Sequence, residues 1–157
     1  MDIHIGISDE HREEITNGLV KVLADSYTLY LKTHNFHWNV EGPLFSELHQ
    51  LFEKQYLELA IAIDEIAERI RALGFYVPAS YSQFSEITTV KEEKNHVHSS
   101  EMISQLVLGQ EEVVRSARKL IPIAEKYQDQ PTADMLIDRM TVHEKNAWML
   151  RSLLEES

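Results

Sequence analysis

The sequence predicts an all-α protein: four long helices in a bundle, with one long crossover that carries a short helix of its own. Three observations predict it. Apolar residues recur at steps of three and four over long stretches, the period of a helix face. Glycine and proline are sparse, and neither occurs between residues 44 and 73. The connections between the periodic stretches are short, long and short.

The first helix is expected over residues 8–39, with Ser8 as its N-cap and Leu19, Leu23, Tyr27, Tyr30, Leu31 and His34 on one side. Gly18 weakens this helix without ending it. The second is expected over 44–73. Its stripe runs Phe45, Leu48, Phe52, Tyr56, Leu59, Ile63, Ile66, Ile70, Leu73. The third is expected over 92–126, carrying Met102, Leu106, Val113, Ala117, Leu120 and Ala124. Thr89 and Glu92 suit a capping box at its start, and Pro122 should kink or shorten its end. The fourth is expected over 131–155, opened by Pro131 in its first turn. Gly42-Pro43 marks the first connection and Gln128-Asp129-Gln130 the last. The middle connection, about 74–90, has room for a short helix near Tyr81–Ile87. A single crossover of this kind is the ferritin-like topology. The whole chain, 1–157, reads as one domain.

Composition narrows the chemistry. There are 15 Lys and Arg against 26 Asp and Glu, a net charge of −11, which argues against DNA as a partner because phosphates are neutralised by cations. Cysteine is absent, so disulfides, thiolate metal sites and thiol nucleophiles are excluded. A metal site would need His, Asp and Glu, which suits iron, manganese or zinc. No apolar run approaches the roughly 18 residues of a membrane span. The opening MDIHIGISDE has neither a basic nor an apolar leader region, so a cytoplasmic location is expected.

Four residues carry the candidate chemistry: His37, His49, Asp64 and Glu68. His37 ends the first helix and His49 begins the second, and a turn at Gly42-Pro43 can bring them together. Asp64 and Glu68 stand at i and i+4 on one helix face. His49 and Asp64, however, are separated on one helix by roughly 22 Å, at about 1.5 Å per residue. They cannot hold one metal within one chain. Either two unrelated sites exist, or a second copy completes the site. The stripe His49, Glu53, Leu57, Ala60, Ile61, Asp64, Glu68 suits the latter. Polar ligand types lie at its ends and small or apolar residues in its middle. An antiparallel pairing across a two-fold axis would set His37, His49 and Glu53 of one copy against Asp64 and Glu68 of the other, giving two equivalent sites. The plainer alternative is a solvated face whose charges pair along the helix.

Leu31-Lys32-Thr33-His34-Asn35-Phe36-His37-Trp38-Asn39-Val40-Glu41-Gly42-Pro43, with Leu48-His49 and Asp64-Glu65-Ile66-Ala67-Glu68-Arg69, closely resembles the Dps family of miniferritins, named as DNA-binding proteins from starved cells. The resemblance extends to Thr132-Ala133-Asp134 and His143-Glu144-Lys145 near the end. It implies a hollow dodecamer that oxidises iron(II), usually with hydrogen peroxide in preference to dioxygen, and stores iron(III) oxide inside. By position it makes His37, Asp64 and Glu68 the primary iron ligands, with His49 and Glu53 in a weaker half of the site. Some members have Asp where this chain has Glu53. Trp38 would lie beside the centre, as an electron source or as packing. Asp129, Asp134 and Asp138 would line a pore on a three-fold axis and concentrate iron(II). Zinc is a competitor for the same ligands. A single Glu93-x-x-His96 matches half of a di-iron motif of larger relatives and reads as coincidence. The DNA-binding role in the family's name is not expected here. Arg12 is the one Lys or Arg in the first 18 residues, and the chain ends Leu154-Glu155-Glu156-Ser157. A nucleoid-binding protector with weak iron chemistry is the rival reading.

Overall fold

The computed structural model describes residues 2–155. Its helices are α1 (Asp9–Asn39), α2 (Phe45–Ala72), α3 (Tyr81–Ile87), α4 (Ser99–Lys126) and α5 (Gln130–Ser152), and no strand occurs among the described residues. α1 packs on α2 and on α4, α4 on α5, and the short α3 rests on α1. The long crossover, with its short helix where the sequence expects it, separates the two helical hairpins.

Local chemistry starts the helices. Ser8 caps α1 by accepting the His11 N–H, and Ser80 caps α3 by accepting the Gln83 N–H. Asp129 caps α5 by accepting the Thr132 N–H, with Pro131 in the first turn. Packing then decides which residues are permitted inside a helix. A Cβ on Gly18 would sit 2.3 Å from a methyl carbon of Leu120. α1 therefore runs through Gly18 uninterrupted, and the missing side chain is what lets α4 approach so closely.

The core falls into two clusters along the bundle. Phe36, Leu48, Phe52, Leu106 and Leu150 belong to one, and Ile15, Leu19, Ile66, Ile70, Leu120 and Leu136 to the other. Ile63 packs against both. Burying Phe36, Phe52 and Ile66 almost completely stabilises the bundle by about 1.5–3 kcal/mol per side chain.

Three expectations are corrected. α4 starts at Ser99 rather than 92, and Thr89 is not its cap. The Thr89 N–H donates instead to Oδ1 of the fully buried Asp25 at 2.8 Å, as does the Thr88 hydroxyl at 2.8 Å. Ser116 and Lys21 hold the other oxygen of Asp25. With its backbone tied to α1, this segment cannot turn into a helix, and α4 begins only at a new cap, His98, whose Nδ1 accepts the Ser100 N–H. Pro122 does not shorten α4, which continues to Lys126, the expected end, with the proline on its exposed side. α5 ends at Ser152, three residues before the expected limit.

Candidate metal centre

The turn between α1 and α2 places the first two ligand candidates. Gly42 has φ +107°, a left-handed value that glycine adopts without strain. The chain reverses there, and the end of α1 faces the start of α2. The His37 and His49 rings stack at 3.8 Å, 15° from parallel. Their hydrogen bonds are reciprocal: Nδ1 of His37 lies 2.8 Å from the His49 carbonyl, and Nδ1 of His49 lies 2.8 Å from the His37 carbonyl. A carbonyl only accepts, so both Nδ1 atoms donate. Both imidazoles are thereby fixed as the Nδ1–H tautomer, with a lone pair left on Nε2. The His37 carbonyl is one of the last four of α1 and would otherwise lack a helical partner.

Aromatic rings enclose this pair. Phe45 stacks on His49 at 5.1 Å, and Tyr56 sets its edge against His37 at 5.1 Å. His34 does not join the pair. Its ring packs between Trp38, at 3.8 Å, and Tyr56, at 4.3 Å. Burial, then the neighbouring His37, lowers the His34 pKa and favours its neutral form. Burial, then Glu53 and Tyr30, raises the pKa of the Tyr56 phenol. Trp38 is 60% exposed in the single chain.

The acidic half of the candidate set lies at the other end of α2. Asp64 and Glu68 are both exposed. The Asp64 charge, reinforced by a hydrogen bond between the two carboxyls, raises the pKa of Glu68. Two carboxylates in mutual repulsion favour a cation between them. α2 is one continuous helix, so the separation of roughly 22 Å expected from a 1.5 Å rise holds. Among the described residues, no group of three or more His, Asp or Glu side chains lies close enough to hold a metal. Between the two half-sets the face of α2 is apolar and open, with Leu57 53% and Ile61 66% exposed. Glu53, one turn beyond His49, is exposed on the same helix.

The three pore candidates fare differently. Asp134 and Asp138 are exposed, and Asp134 accepts from Gln130 at 2.9 Å. Asp129 is buried and fully engaged. It accepts from Arg69 at 2.6 Å and from the Thr132 hydroxyl at 2.5 Å, besides capping α5. Within this chain its carboxylate holds α2 to α5 and is not free to face a channel. Glu93 and His96 lie in the extended segment before α4, so they form no helical di-iron motif.

Sequence reasoning placed Tyr56 in the core stripe and missed that it borders His37. Its position, one turn after Phe52 and beside Glu53, carried no signal beyond periodicity. The reciprocal histidine bonds were equally invisible, because they depend on the turn geometry.

Known proteins share this architecture. The ferritin-like domain family matches residues 16–157. A low temperature-induced protein of Nostoc is 44% identical over 98% of this chain and 87% of its own length. DNA protection during starvation protein 2 of Bacillus anthracis is 38% identical over 92% of this chain and 99% of its own. The Dps crystal structure from Vibrio cholerae, described as one of the ferritin-like diiron-carboxylate proteins, superposes with TM-score 0.93 at 29% identity, covering 99% of this chain and 98% of that one. The Bacillus brevis Dps structure gives 0.89 at 34% identity, covering 93% and 98%. With two half-sets of candidate ligands on a ferritin-like bundle and relatives along almost its whole length, the chain belongs to the ferritin-like family, as a miniferritin of the Dps kind.

Proposed function

We propose that this miniferritin is a ferroxidase: it oxidises iron(II), preferably with hydrogen peroxide, at sites shared between two copies of the chain, and stores the iron(III) mineral inside a dodecameric cage in the cytoplasm. The observation that carries the reading is the ligand set split between the α1–α2 turn and the far half of α2. His37 and His49 offer Nε2 lone pairs at one end, Asp64 and Glu68 offer carboxylates at the other, and an exposed apolar strip lies between. An antiparallel second copy would complete both ends at once. Nitrogen and carboxylate donors suit iron(II), and hard anionic oxygens favour iron(III) over it. Zinc would compete for the same donors. His37, Asp64 and Glu68 act as the primary ligands, with His49 and Glu53 holding a second, weaker iron.

The chemistry follows from pairing two irons. Peroxide needs two electrons to give two waters. Two iron(II) ions held together deliver both, and the one-electron split that releases hydroxyl radical is avoided. Asp134 and Asp138 concentrate iron(II) before it reaches the site. DNA is not a partner in this reading. A shift of duplex DNA at low salt that vanishes as salt rises would favour the nucleoid-protector alternative.

The test is a mixing experiment. Subunits lacking both histidines (His37→Ala, His49→Ala) are co-expressed with subunits lacking both acids (Asp64→Ala, Glu68→Ala). Each parent cage should oxidise iron(II) with peroxide no faster than iron free in solution. Mixed cages should regain activity, because every mixed pair contains one intact site. No recovery in well-assembled mixed cages would sink the shared-site reading.

A further inference from the structure

Of the eight lysines, Lys32 alone is buried, at 7% exposed. Its Nζ donates to the Lys91 carbonyl at 2.6 Å, where the crossover passes α1, and lies 6.0 Å from the centre of the Phe36 ring. Lys21 pairs with Asp25, but among the described residues no carboxylate comes within ion-pairing distance of Lys32. Glu93 attracts it from further off and spends its own oxygens elsewhere, on Gln105 at 2.9 Å and on the Asn95 N–H at 3.2 Å. Burial outweighs the pull of Glu93 and Glu101, and Lys91 adds to it, so the Lys32 pKa is lowered and the uncharged amine is more available. The same side chain lines a cavity of about 440 Å³ between α1, α3 and the crossover, within the roughly 300–1,000 Å³ range of small-molecule sites. The rings of Tyr27, Trp38, Tyr81 and Phe84 form its walls, and Glu92 and Glu93 border it. Trp38 is 60% and Tyr81 75% exposed, so the cavity has an open mouth. Lys32 has no part in the proposed iron chemistry.

We propose that Lys32 is a covalent capture site for small, uncharged aromatic aldehydes: its Nζ forms a reversible imine with the carbonyl while the ring of the guest fills the aromatic cavity. Desolvated lysines next to apolar walls are suited to this chemistry, because the nucleophile is the uncharged amine. Nζ attacks the carbonyl carbon, and a C–N bond forms as the C=O π bond breaks. One N–H proton moves to the oxygen and gives a carbinolamine. The C–O bond then breaks, and the hydroxyl leaves as water with the second N–H proton. Amine and aldehyde thus become imine and one water, and nothing is oxidised or reduced. Glu92, on the cavity lining, is the group available to carry protons between nitrogen and oxygen. The walls also set the preference. Flat rings suit an aromatic guest, whereas Glu92 and Glu93 repel a carboxylate. The binding is independent of iron and adds a second chemistry to the molecule.

The experiment traps the imine on the assembled, metal-free wild-type protein. Limiting benzaldehyde is added near neutral pH with cyanoborohydride, which reduces an imine to a stable secondary amine. Digestion and mass spectrometry then map the benzyl group along the chain, with the N-terminal amine scored separately. The Lys32 peptide should be labelled severalfold sooner than those of the exposed Lys54, Lys119 and Lys145. Excess benzyl alcohol, which fills the cavity without reacting, should slow Lys32 and leave the exposed lysines unchanged. With para-carboxybenzaldehyde the preference for Lys32 should disappear. Lys32→Arg keeps the charge and the hydrogen-bond donor but removes the amine, so it should lose the early adduct and keep the wild-type rate of iron oxidation. Labelling of Lys32 no faster than of the exposed lysines, including none because a second copy closes the cavity, would overturn the proposal. So would a preference that benzyl alcohol does not reduce, since the cavity would then play no part. An early lysine adduct that survives Lys32→Arg would overturn it too. The iron reading stands or falls on the mixed cages instead.

Discussion

Two histidine sites sit in this bundle, and the contrast between them separates a candidate ligand pair from a structural residue. At the α1–α2 turn, His37 and His49 each engage one ring nitrogen with a carbonyl and keep the other open. In the interior, His143 engages both. Its Nδ1 lies 2.6 Å from Oε1 of Gln110, and its Nε2 accepts from Arg139 at 2.9 Å. Arg139 also grips Glu58 with two parallel bonds, at 2.6 and 2.9 Å. This network ties α5 to α4 and α2 and leaves His143 no lone pair for a metal. Burial, then the Arg139 charge, pushes the His143 pKa down to about 3. The lesson is that a buried histidine is read by counting its uncommitted nitrogens, not by how many acids surround it.

The comparison can be broken first by exchange of roles. On the proposed reading, replacing His37 with Ala removes a direct ligand. Peroxide-driven iron oxidation should then fall by more than the 10–100-fold typical of losing an outer-shell partner. His143→Ala should leave that rate unchanged per assembled cage. Stopped-flow absorbance of iron(III) compares the two variants directly.

Stability should show the reverse pattern. His143→Ala strands Arg139 and Gln110 and removes a buried ring, so denaturant unfolding should register a loss of about 1–3 kcal/mol or more. The wild-type protein should also show a pH signature. The folded-state pKa of His143 lies below its ordinary value, so protons bind the unfolded chain more readily. The stabilising contribution is whole above about pH 6.5 and declines as pH falls toward about 3. The slope there is at most about 1.4 kcal/mol per pH unit. Denaturant midpoints between pH 7 and pH 5 should reveal it, and His143→Gln should flatten it.

The smallest effects concern the acids near the start of α5. Asp129→Asn keeps a capping oxygen but loses the ion pair with Arg69, so it should lower stability by about 1 kcal/mol or more, without slowing iron uptake. Asp134→Asn with Asp138→Asn should slow uptake modestly at low salt and leave stability almost unchanged. Uptake slowed as much by Asp129→Asn as by the other pair would return Asp129 to the pore.

Much of the molecule was legible in its sequence, and the gaps have causes. α2 announces itself because its apolar period never breaks between Phe45 and Leu73. The Asp64/Glu68 pair follows from helix geometry alone. The start of α4 was misjudged because Thr89 and Glu92 form a plausible local cap, whereas the backbone of Thr89 is claimed by Asp25, a residue far away in sequence. The pairing of Asp129 was hidden for the same reason, since Arg69 reaches it from another helix. The tautomers of His37 and His49, and the place of Tyr56 beside them, depend on a turn that no periodicity encodes. Contacts within one helix can be read from spacing; contacts across helices cannot.

The unbroken length of α2 has a consequence for the life of the protein in a cell. On the proposed reading, with the two candidate half-sets far apart along α2, a single newly made chain would hold no complete site. On the proposed reading, iron binding and subunit pairing are linked equilibria. Each strengthens the other, by the same factor in both directions. Scarce, unpaired subunits would ignore iron, and the reaction would switch on with assembly. On that reading the continuous helix would act as an interlock: oxidation would not begin before there is a second subunit to share it.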